Sequence, residues 1–85
     1  MIKLKSTVVY QVISGETVLL DVARGTYFDL NASATVMVQA LLNGGDRKAA
    51  IAAVLEIFDA DAELVDHDLD RLLRELTDAE LIESI

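Results

Sequence analysis

One histidine and three neighbouring carboxylates are the residues of this chain best suited to chemistry. His67 stands between Asp66 and Asp68, and Asp70 follows two residues later. A histidine in this company could act as a general base or bind a metal ion. On a helix, positions 66, 68 and 70 point to too many faces to converge on one ion, and the order Asp-x-Asp-x-Asp-Gly of a calcium loop is missing. We therefore expect a solvated helix face and no metal site.

No other combination of residues predicts catalysis. The chain has no cysteine, which excludes disulfides and cysteine-based metal sites. Gly44-Gly45 is typical of a helix stop and not of a glycine-rich phosphate loop. The serines lack a nearby histidine–aspartate arrangement that would activate a nucleophile: Ser6, Ser14, Ser33 and Ser84. The sequence thus predicts no catalytic residues, no cofactor and no enzymatic activity.

The charge of the chain is strongly negative and unevenly distributed. The net charge is −8. Residues 1–26 carry three basic and two acidic side chains, a balance of +1, whereas residues 27–85 carry four basic and 13 acidic side chains, a balance of −9. Proteins that bind duplex DNA are usually basic. The charge therefore favours a basic or neutral partner.

Three strands followed by three helices account for the hydrophobic pattern. β-branched and aromatic residues predict strands over 7–13, 17–22 and 26–30. Asn31 and Asp46 are good N-cap residues, and they predict helices over about 32–42 and 47–58. After a break at 59–61, a third helix is predicted to begin at Asp61 or Ala62 and to run to about residue 76. The tail, 77–85, is compatible with a last helical turn or with a short strand over 81–83. This order predicts a single α+β domain over residues 1–85, with the helices packed on one side of an antiparallel sheet.

The second and third predicted helices could form a helix-turn-helix, which keeps a winged-helix DNA-binding protein as an alternative. A recognition helix normally offers basic and amide side chains to DNA. The third helix offers mostly carboxylates: Glu63, Asp66, Asp68 and Asp70 against Arg71 and Arg74. Nucleic acid is therefore not the partner that we expect.

No segment predicts membrane insertion or export. The longest uncharged stretch of the N-terminal half, 30–45, is too short to span a bilayer. The basic start of the chain is not followed by the apolar core of a signal peptide. We expect a cytoplasmic protein.

The third predicted strand, 26–30, has an edge that can accept another strand. In a three-stranded meander, one side of this strand stays unpaired unless the first strand returns to it. Open edges are usually guarded by charge or proline, and here Asp29 is the only guard. A short ordinary edge strand and a site for an added peptide strand are both compatible with this pattern.

The order and spacing of several short motifs resemble the PqqD-like family, whose members are also called RiPP recognition elements. The motifs are Leu19-Leu20-Asp21, Gly25, Tyr27-Phe28, Leu30-Asn31, Leu41-Leu42, Gly44-Gly45, Phe58 and an apolar series over 69–76. The resemblance implies a winged-helix-like fold of three strands and three helices. It also implies a non-catalytic adaptor that binds the leader segment of a ribosomal precursor peptide as a strand beside the third strand.

The resemblance further implies a groove between the third strand and the third helix. Its strand wall would be Thr26, Tyr27, Phe28, Asp29 and Leu30. Its helix wall would be Val65, Asp66, Leu69, Asp70 and Leu73. Apolar leader side chains would enter between the two walls, and the two carboxylates of the helix wall would meet leader lysine or arginine.

Two kinds of stand-alone family member fit this length. The first is the recognition protein of lasso-peptide pathways, which works with a leader peptidase of the cysteine protease class and an ATP-dependent cyclase. The second is the peptide chaperone of pyrroloquinoline quinone synthesis, or of another radical-SAM pathway. The short chain and the acidic third helix favour the first. The tail departs from the family pattern, because Ala79-Glu80-Leu81-Ile82 lacks the usual glycine, and its conformation is left open.

Overall fold

Five strands and three helices make up residues 2–84, the part of the chain that the computed structural model describes. The strands are β1 (Ile2–Leu4), β2 (Val8–Ile13), β3 (Glu16–Asp21), β4 (Thr26–Leu30) and β5 (Ile82–Ser84). The helices are α1 (Ala32–Leu42), α2 (Arg47–Ile57) and α3 (Ala62–Asp78). The three predicted strands correspond to β2, β3 and β4, and the α+β class is confirmed. β1 was not predicted, and β5 decides between the two readings of the tail in favour of a strand.

Strands β2, β3 and β4 form an antiparallel sheet with β3 in the centre. The register places Leu19 of β3 between Tyr10 of β2 and Phe28 of β4. The strands β1 and β5 form a separate two-stranded sheet, in which Ile2 lies opposite Ser84. The N-terminal segment therefore pairs with the tail and leaves the outer edge of β4 without a partner strand within residues 2–84.

The helices pack on the face of the sheet that carries Thr17, Leu19 and Asp21, all of which are buried. The two polar residues on this face have partners. The hydroxyl groups of Thr17 and Thr35 lie 2.9 Å apart and share a hydrogen bond between β3 and α1. The Oδ1 atom of Asp21 accepts hydrogen bonds from the backbone N–H groups of Ala23 and Arg24, and within residues 2–84 no fully buried side-chain nitrogen or oxygen lacks a hydrogen-bond partner.

Helices α1 and α2 begin directly after the predicted N-cap residues, and α3 begins at Ala62, one of the two starts that the sequence left open. The side chains of Asn31, Asp46 and Asp61 accept hydrogen bonds from backbone N–H groups of the first turn of α1, α2 and α3. The buried side chains of α3 repeat every three or four residues, as one stripe of an amphipathic helix requires: Val65, Leu69, Leu72 and Leu76. This stripe forms the centre of the core together with Leu19, Leu30, Met37 and Val54.

Helices α1 and α3 end in the same backbone motif but with different residues in it. After α1, the N–H groups of Gly44 and Gly45 donate to the carbonyls of Leu41 and Ala40, and Gly44 has φ = 92°. After α3, the N–H groups of Glu80 and Leu81 donate to the carbonyls of Thr77 and Leu76. These are the paired bonds of a Schellman motif. Glu80 therefore occupies a left-handed position, φ = 58°, which is the position that Gly44 fills after α1.

Replacing Glu80 by glycine is expected to stabilise the fold. A side chain in the left-handed conformation costs roughly 1–2 kcal/mol, and glycine removes this cost. Part of the gain is offset, because glycine makes the unfolded chain more flexible and because the exposed ion pair of Glu80 with Arg24 (2.8 Å) is lost. We expect the free energy of unfolding to rise by about 0.5–1 kcal/mol, measured by urea denaturation.

The control for this change is Glu80→Gln, which removes the ion pair and keeps the side chain. It should change stability by less than about 0.5 kcal/mol. If the Glu80→Gly variant were less stable than Glu80→Gln, the claim that Glu80 is strained in its left-handed conformation would be wrong.

Candidate functional site

The hydrogen-bonding pattern of the sheet shows which groups of β4 point outward. The N–H of Val22 donates to the carbonyl of Thr7 at 2.9 Å, which continues the register of β2 with β3. In an antiparallel ladder, bonded and non-bonded pairs alternate. The residues of β3 that point towards β4 are therefore Thr17, Leu19 and Asp21, and their partners on β4 are Leu30, Phe28 and Thr26.

Tyr27 and Asp29 consequently direct their N–H and C=O groups to the open edge. None of these four groups takes part in a backbone hydrogen bond to another segment of residues 2–84. Both side chains are exposed, and that of Tyr27 is 70% exposed. Four aligned backbone groups on an edge form a template for an extended peptide.

A cavity of about 150 Å³ lies beside this edge. It is bordered by β4, by the start of α1 and by one flank of α3. Its lining residues on the strand and on α1 are Phe28, Asp29, Leu30, Asn31, Ser33, Ala34 and Met37, and those on α3 are Asp68, Arg71, Leu72 and Glu75. We call it the edge cavity.

A second cavity of about 420 Å³ continues from the first towards the junction of α2 and α3. The two cavities share four lining residues: Asn31, Ser33, Met37 and Asp68. The second is mostly apolar, with Val54, Phe58, Ala60, Leu64 and Val65 among its lining residues. We call it the junction cavity, and the two together the trough.

The edge cavity has an acidic helix flank. Arg71 pairs with Asp68 (3.2 Å) and more loosely with Glu75 (3.8 Å), and all three side chains are substantially exposed. Asp29 lies on the strand side of the same cavity. Three carboxylates against one guanidinium favour a ligand with a basic side chain at this place.

Of the five residues predicted as the strand wall, Phe28, Asp29 and Leu30 line the edge cavity, whereas Thr26 and Tyr27 do not. Thr26, Tyr27 and Asp29 are exposed, Phe28 is half-buried, and Leu30 is only 2% exposed. Phe28 and Leu30 lie on the inner face of the sheet and form the floor next to the helices, whereas Tyr27 and Asp29 carry the free backbone groups.

The predicted helix wall is placed differently by the structure. Leu69 is completely buried and Val65 is 5% exposed, so Leu69 belongs to the core, and Val65 forms part of the base of the junction cavity. Asp66 pairs with the guanidinium of Arg47 (3.1 Å), and Asp70 pairs with the same group. Both carboxylates thus point towards the start of α2.

The helix residues that face β4 were not predicted. Asp68, Arg71 and Glu75 lie on one flank of the buried stripe of α3 and border the edge cavity together with Leu72 of the stripe. Asp66, Asp70 and Leu73 lie on the opposite flank. The sequence predicts the buried stripe of α3, but the residues on its two flanks are equally polar, so the sequence does not show which flank faces β4. A signal was present in the spacing of Asp68, Arg71 and Glu75, which forms a ladder of opposite charges at i, i+3 and i+7.

Residues 2–84 offer neither a metal-binding cluster nor a membrane-spanning helix. Among residues 2–84, no three His, Cys, Asp or Glu side chains come together in a way that could hold a metal ion. None of the helices between residue 2 and residue 84 has the length and apolar character needed to cross a membrane.

Two solved structures resemble this one over nearly their whole length. The chain superimposes with a TM-score of 0.85 and 32% identity on "TbiB1 in Complex with the TbiA(beta) Leader Peptide", with 98% of this chain and 96% of that chain covered. It superimposes with a TM-score of 0.87 and 22% identity on "Lasso peptide synthetase B1 complexed with the leader peptide", with 98% of both chains covered. At 22% identity, the second likeness shows the fold alone.

The family comparison covers most of the sequence. No curated protein matches the chain. The family described as Coenzyme PQQ synthesis protein D (PqqD) matches residues 16–82, from the start of β3 to the start of β5. The resemblance noted in the sequence is thereby confirmed: this chain belongs to the PqqD family, as a PqqD-like RiPP recognition element.

Proposed function

We propose that this chain is an adaptor that binds the leader segment of a ribosomal precursor peptide, as a strand added to β4 over the trough. The outward backbone groups of Tyr27 and Asp29, beside a trough with apolar and acidic sections, are the observation that carries this proposal. The similarity to TbiB1, which was solved with the TbiA(beta) leader peptide, supports the same ligand class.

Magnitudes indicate how the affinity would arise. Four backbone hydrogen bonds contribute about 0.5–1.5 kcal/mol each, and ordering a disordered leader costs about 2–5 kcal/mol. The backbone bonds therefore roughly offset the ordering cost. Burial of apolar leader side chains, at roughly 1.5–3 kcal/mol for each large one, must supply most of the net affinity and the sequence preference.

Titration of the chain with a synthetic leader peptide, beginning with the TbiA(beta) leader, and followed by NMR, tests the proposal. The amides of Tyr27 and Asp29 should shift most and become protected from hydrogen exchange. The amides of β2 on the far edge of the sheet should change little. Shifts confined to β1 and β5, or to the face of α2, would contradict the proposed edge.

The acidic flank predicts a salt-dependent contribution from Asp68 and Glu75. The double change Asp68→Asn with Glu75→Gln should weaken binding of a leader with lysine or arginine in its strand segment by up to about tenfold at low salt. The effect should shrink at high salt, because exposed ion pairs are screened. Calorimetry at two salt concentrations measures it.

Asp66→Asn with Asp70→Asn is the matched control, since it removes the same charge from the opposite flank, where Arg47 is the partner. It should leave leader binding within about twofold. An equal loss in both double variants would show that only net charge matters and not contact with the leader.

For the pathway, we propose delivery of the precursor to a leader peptidase of the cysteine protease class and an ATP-dependent cyclase, as in lasso-peptide synthesis. The adaptor would act in the cytoplasm, where precursor peptides are made. The acidic character of α3 favours this pathway. The family description favours a pyrroloquinoline quinone chaperone as the second candidate. Leader removal by a leader peptidase of the cysteine protease class, measured with and without this chain, distinguishes the two.

A further inference from the structure

We infer that this chain forms a two-fold symmetric dimer through the outer edge of β2, with the β2 strands of two copies paired antiparallel in one continuous sheet. The inference goes beyond leader binding at β4 and does not depend on it, because it concerns the opposite edge of the sheet. Three observations carry it: the free backbone groups of β2, the lack of any guard along this strand, and a register in which β2 is complementary to itself.

The outer edge of β2 carries backbone groups without partners. Bonded and non-bonded pairs alternate along an antiparallel ladder, and the bond from Val22 to Thr7 sets this alternation. The N–H and C=O groups of Tyr10 and Val12 therefore point away from β3. None of these four groups bonds to another backbone segment of residues 2–84, so they form a second template for an added strand.

Nothing along β2 protects this edge against pairing. Natural edge strands are usually protected by charge, proline, a bulge or a covering element. Residues 7–13 contain no charged side chain and no proline, and six consecutive pairs with β3 leave no bulge. Helix α1 packs on β3 and β4, and on the same face of β2 Tyr10 stays 55% and Val12 41% exposed.

The opposite face of the sheet is apolar next to this edge. Val9 is 51% exposed and Ile13 is 56% exposed. A cavity of about 290 Å³ on the outer strands is bordered by Val9, Tyr10, Gln11, Val18 and Leu20. Contiguous exposed apolar surface of this kind marks a site of protein association, because its burial is favoured by the hydrophobic effect.

One register uses every free group of the edge. If Tyr10 of each copy pairs with Val12 of the other, four backbone hydrogen bonds form and the two Gln11 residues lie opposite each other on the two-fold axis. A shift in one direction would need the N–H of Val8, which already donates to a carbonyl of its own chain at 2.9 Å. A shift in the other direction would need Ser14, which lies in the hairpin turn with φ = 52°.

The charge distribution favours a second copy as the occupant of the β2 edge. The net charge is −8, but residues 1–26, which contain β2, have a balance of +1. Pairing of β2 with β2 brings no like charges into contact, and it opposes tyrosine to valine, a favourable cross-strand pair. Pairing of β4 with β4 would instead bring Asp29 and the acidic flank of α3 of both copies together, which like-charge repulsion opposes.

The dimer leaves both β4 edges free for a ligand. Three strands from each copy form one sheet in the order β4, β3, β2, β2, β3, β4, with the helices of both copies on the same side. Neighbouring strands lie about 4.8 Å apart, so the two β4 edges are about 24 Å apart. One assembly therefore presents two separate sites for an added strand.

Cysteine cross-linking tests the register. The chain has no cysteine of its own, so a single introduced cysteine reports on one position. Gln11→Cys places two thiols opposite each other at a Cα separation of about 4.5 Å, which a disulfide bridges. It should oxidise to a dimer at least about tenfold faster than Val9→Cys.

Val9→Cys is the matched control, because Val9 lies on the same face of β2 as Gln11 and the two Val9 residues of the dimer are about 14 Å apart. Equal rates of cross-linking for the two variants would reflect random collision and would overturn the inference.

Sedimentation equilibrium of the chain without cysteine tests the dimer itself. The interface is small, so association should be weak, and the mass should rise from 9.2 kDa towards twice this value over about 10–500 µM. Val12→Pro removes one edge N–H from each copy and should weaken dimerisation at least about tenfold. Val12→Thr keeps the N–H and the branched side chain and should stay within about threefold of the wild type. A wild-type chain that remains at the monomer mass throughout would contradict the dimer.

Dimerisation and leader binding fail separately. Added salt should strengthen the dimer, because it screens the repulsion between two chains of charge −8, whereas the acidic flank predicts weaker leader binding. A chain that dimerises through β2 but binds no leader would overturn the adaptor proposal alone. If Asp29→Pro abolished dimerisation and Val12→Pro did not, the copies would pair through β4 and the inference would be wrong.

Discussion

Replacing Asp29 by proline is expected to weaken leader binding at least about 100-fold while the chain stays folded. The N–H of Asp29 points to the open edge. Proline has no N–H, so the variant loses the hydrogen bond from residue 29 to the peptide and loses none within the sheet. Proline is tolerated on an edge strand at such a position. Its ring also occupies the space that the peptide backbone would enter. Fluorescence anisotropy with a labelled leader measures the affinity, and circular dichroism checks the fold.

Two controls separate the backbone from the side chain. Asp29→Ala removes the carboxylate and keeps the N–H, and it should retain binding within about threefold. Val12→Pro places the same ring on the opposite edge of the sheet, where the alternation along β2 also directs the N–H outward. If Val12→Pro lost binding as Asp29→Pro does, the effect would be a general loss of the sheet and the assigned edge would be wrong.

Replacing Leu69 by alanine is expected to lower the free energy of unfolding by about 2–5 kcal/mol. Leu69 is completely buried at the centre of the stripe of α3. A domain of this size has a total stability of about 4–13 kcal/mol, so the loss is a large part of it. Urea denaturation should show a lower midpoint and an unchanged slope.

Leu64→Ala is the matched control on the same helix, and it should change stability by less than about 0.5 kcal/mol, because its side chain is 59% exposed. The more drastic Leu69→Asp places an unpaired carboxylate in the core and is expected to unfold the chain. A loss of leader binding in this variant would therefore reflect unfolding and would not show that Leu69 lines the predicted groove. A folded, stable Leu69→Asp chain would contradict the position of Leu69 in the core.

Local signals explain why most of the fold could be predicted. Capping residues such as Asn31 mark each helix start by a hydrogen bond that the residue type itself provides. The turns at Gly15 and Gly25 both have positive φ, which glycine adopts without cost. The strands β1 and β5 were harder to predict, because each has only three residues and shows no hydrophobic periodicity. Their pairing also joins segments from opposite ends of the chain.

The site could be predicted on its strand side and not on its helix side. The open edge of β4 follows from the number and order of the strands. Which flank of α3 faces that edge depends on how the helix is rotated against the sheet, and the buried stripe alone does not determine this. The alternation of Asp68, Arg71 and Glu75 marks one flank as a separate charged row, but Asp66 and Asp70 are equally acidic. Only the ion pairs with Arg47 show that the latter belong to the contact with α2.

The pairing of Ile2 with Ser84 has a consequence for engineering and for domain architecture. Both ends of the described chain leave the molecule side by side, and no residue of β1 or β5 borders the trough. Insertion of the unit into a surface loop of a larger enzyme would therefore require no long linkers. A circular permutant that joins the ends and opens at the exposed hairpin tip Ser14-Gly15 should still present β4 to its ligand.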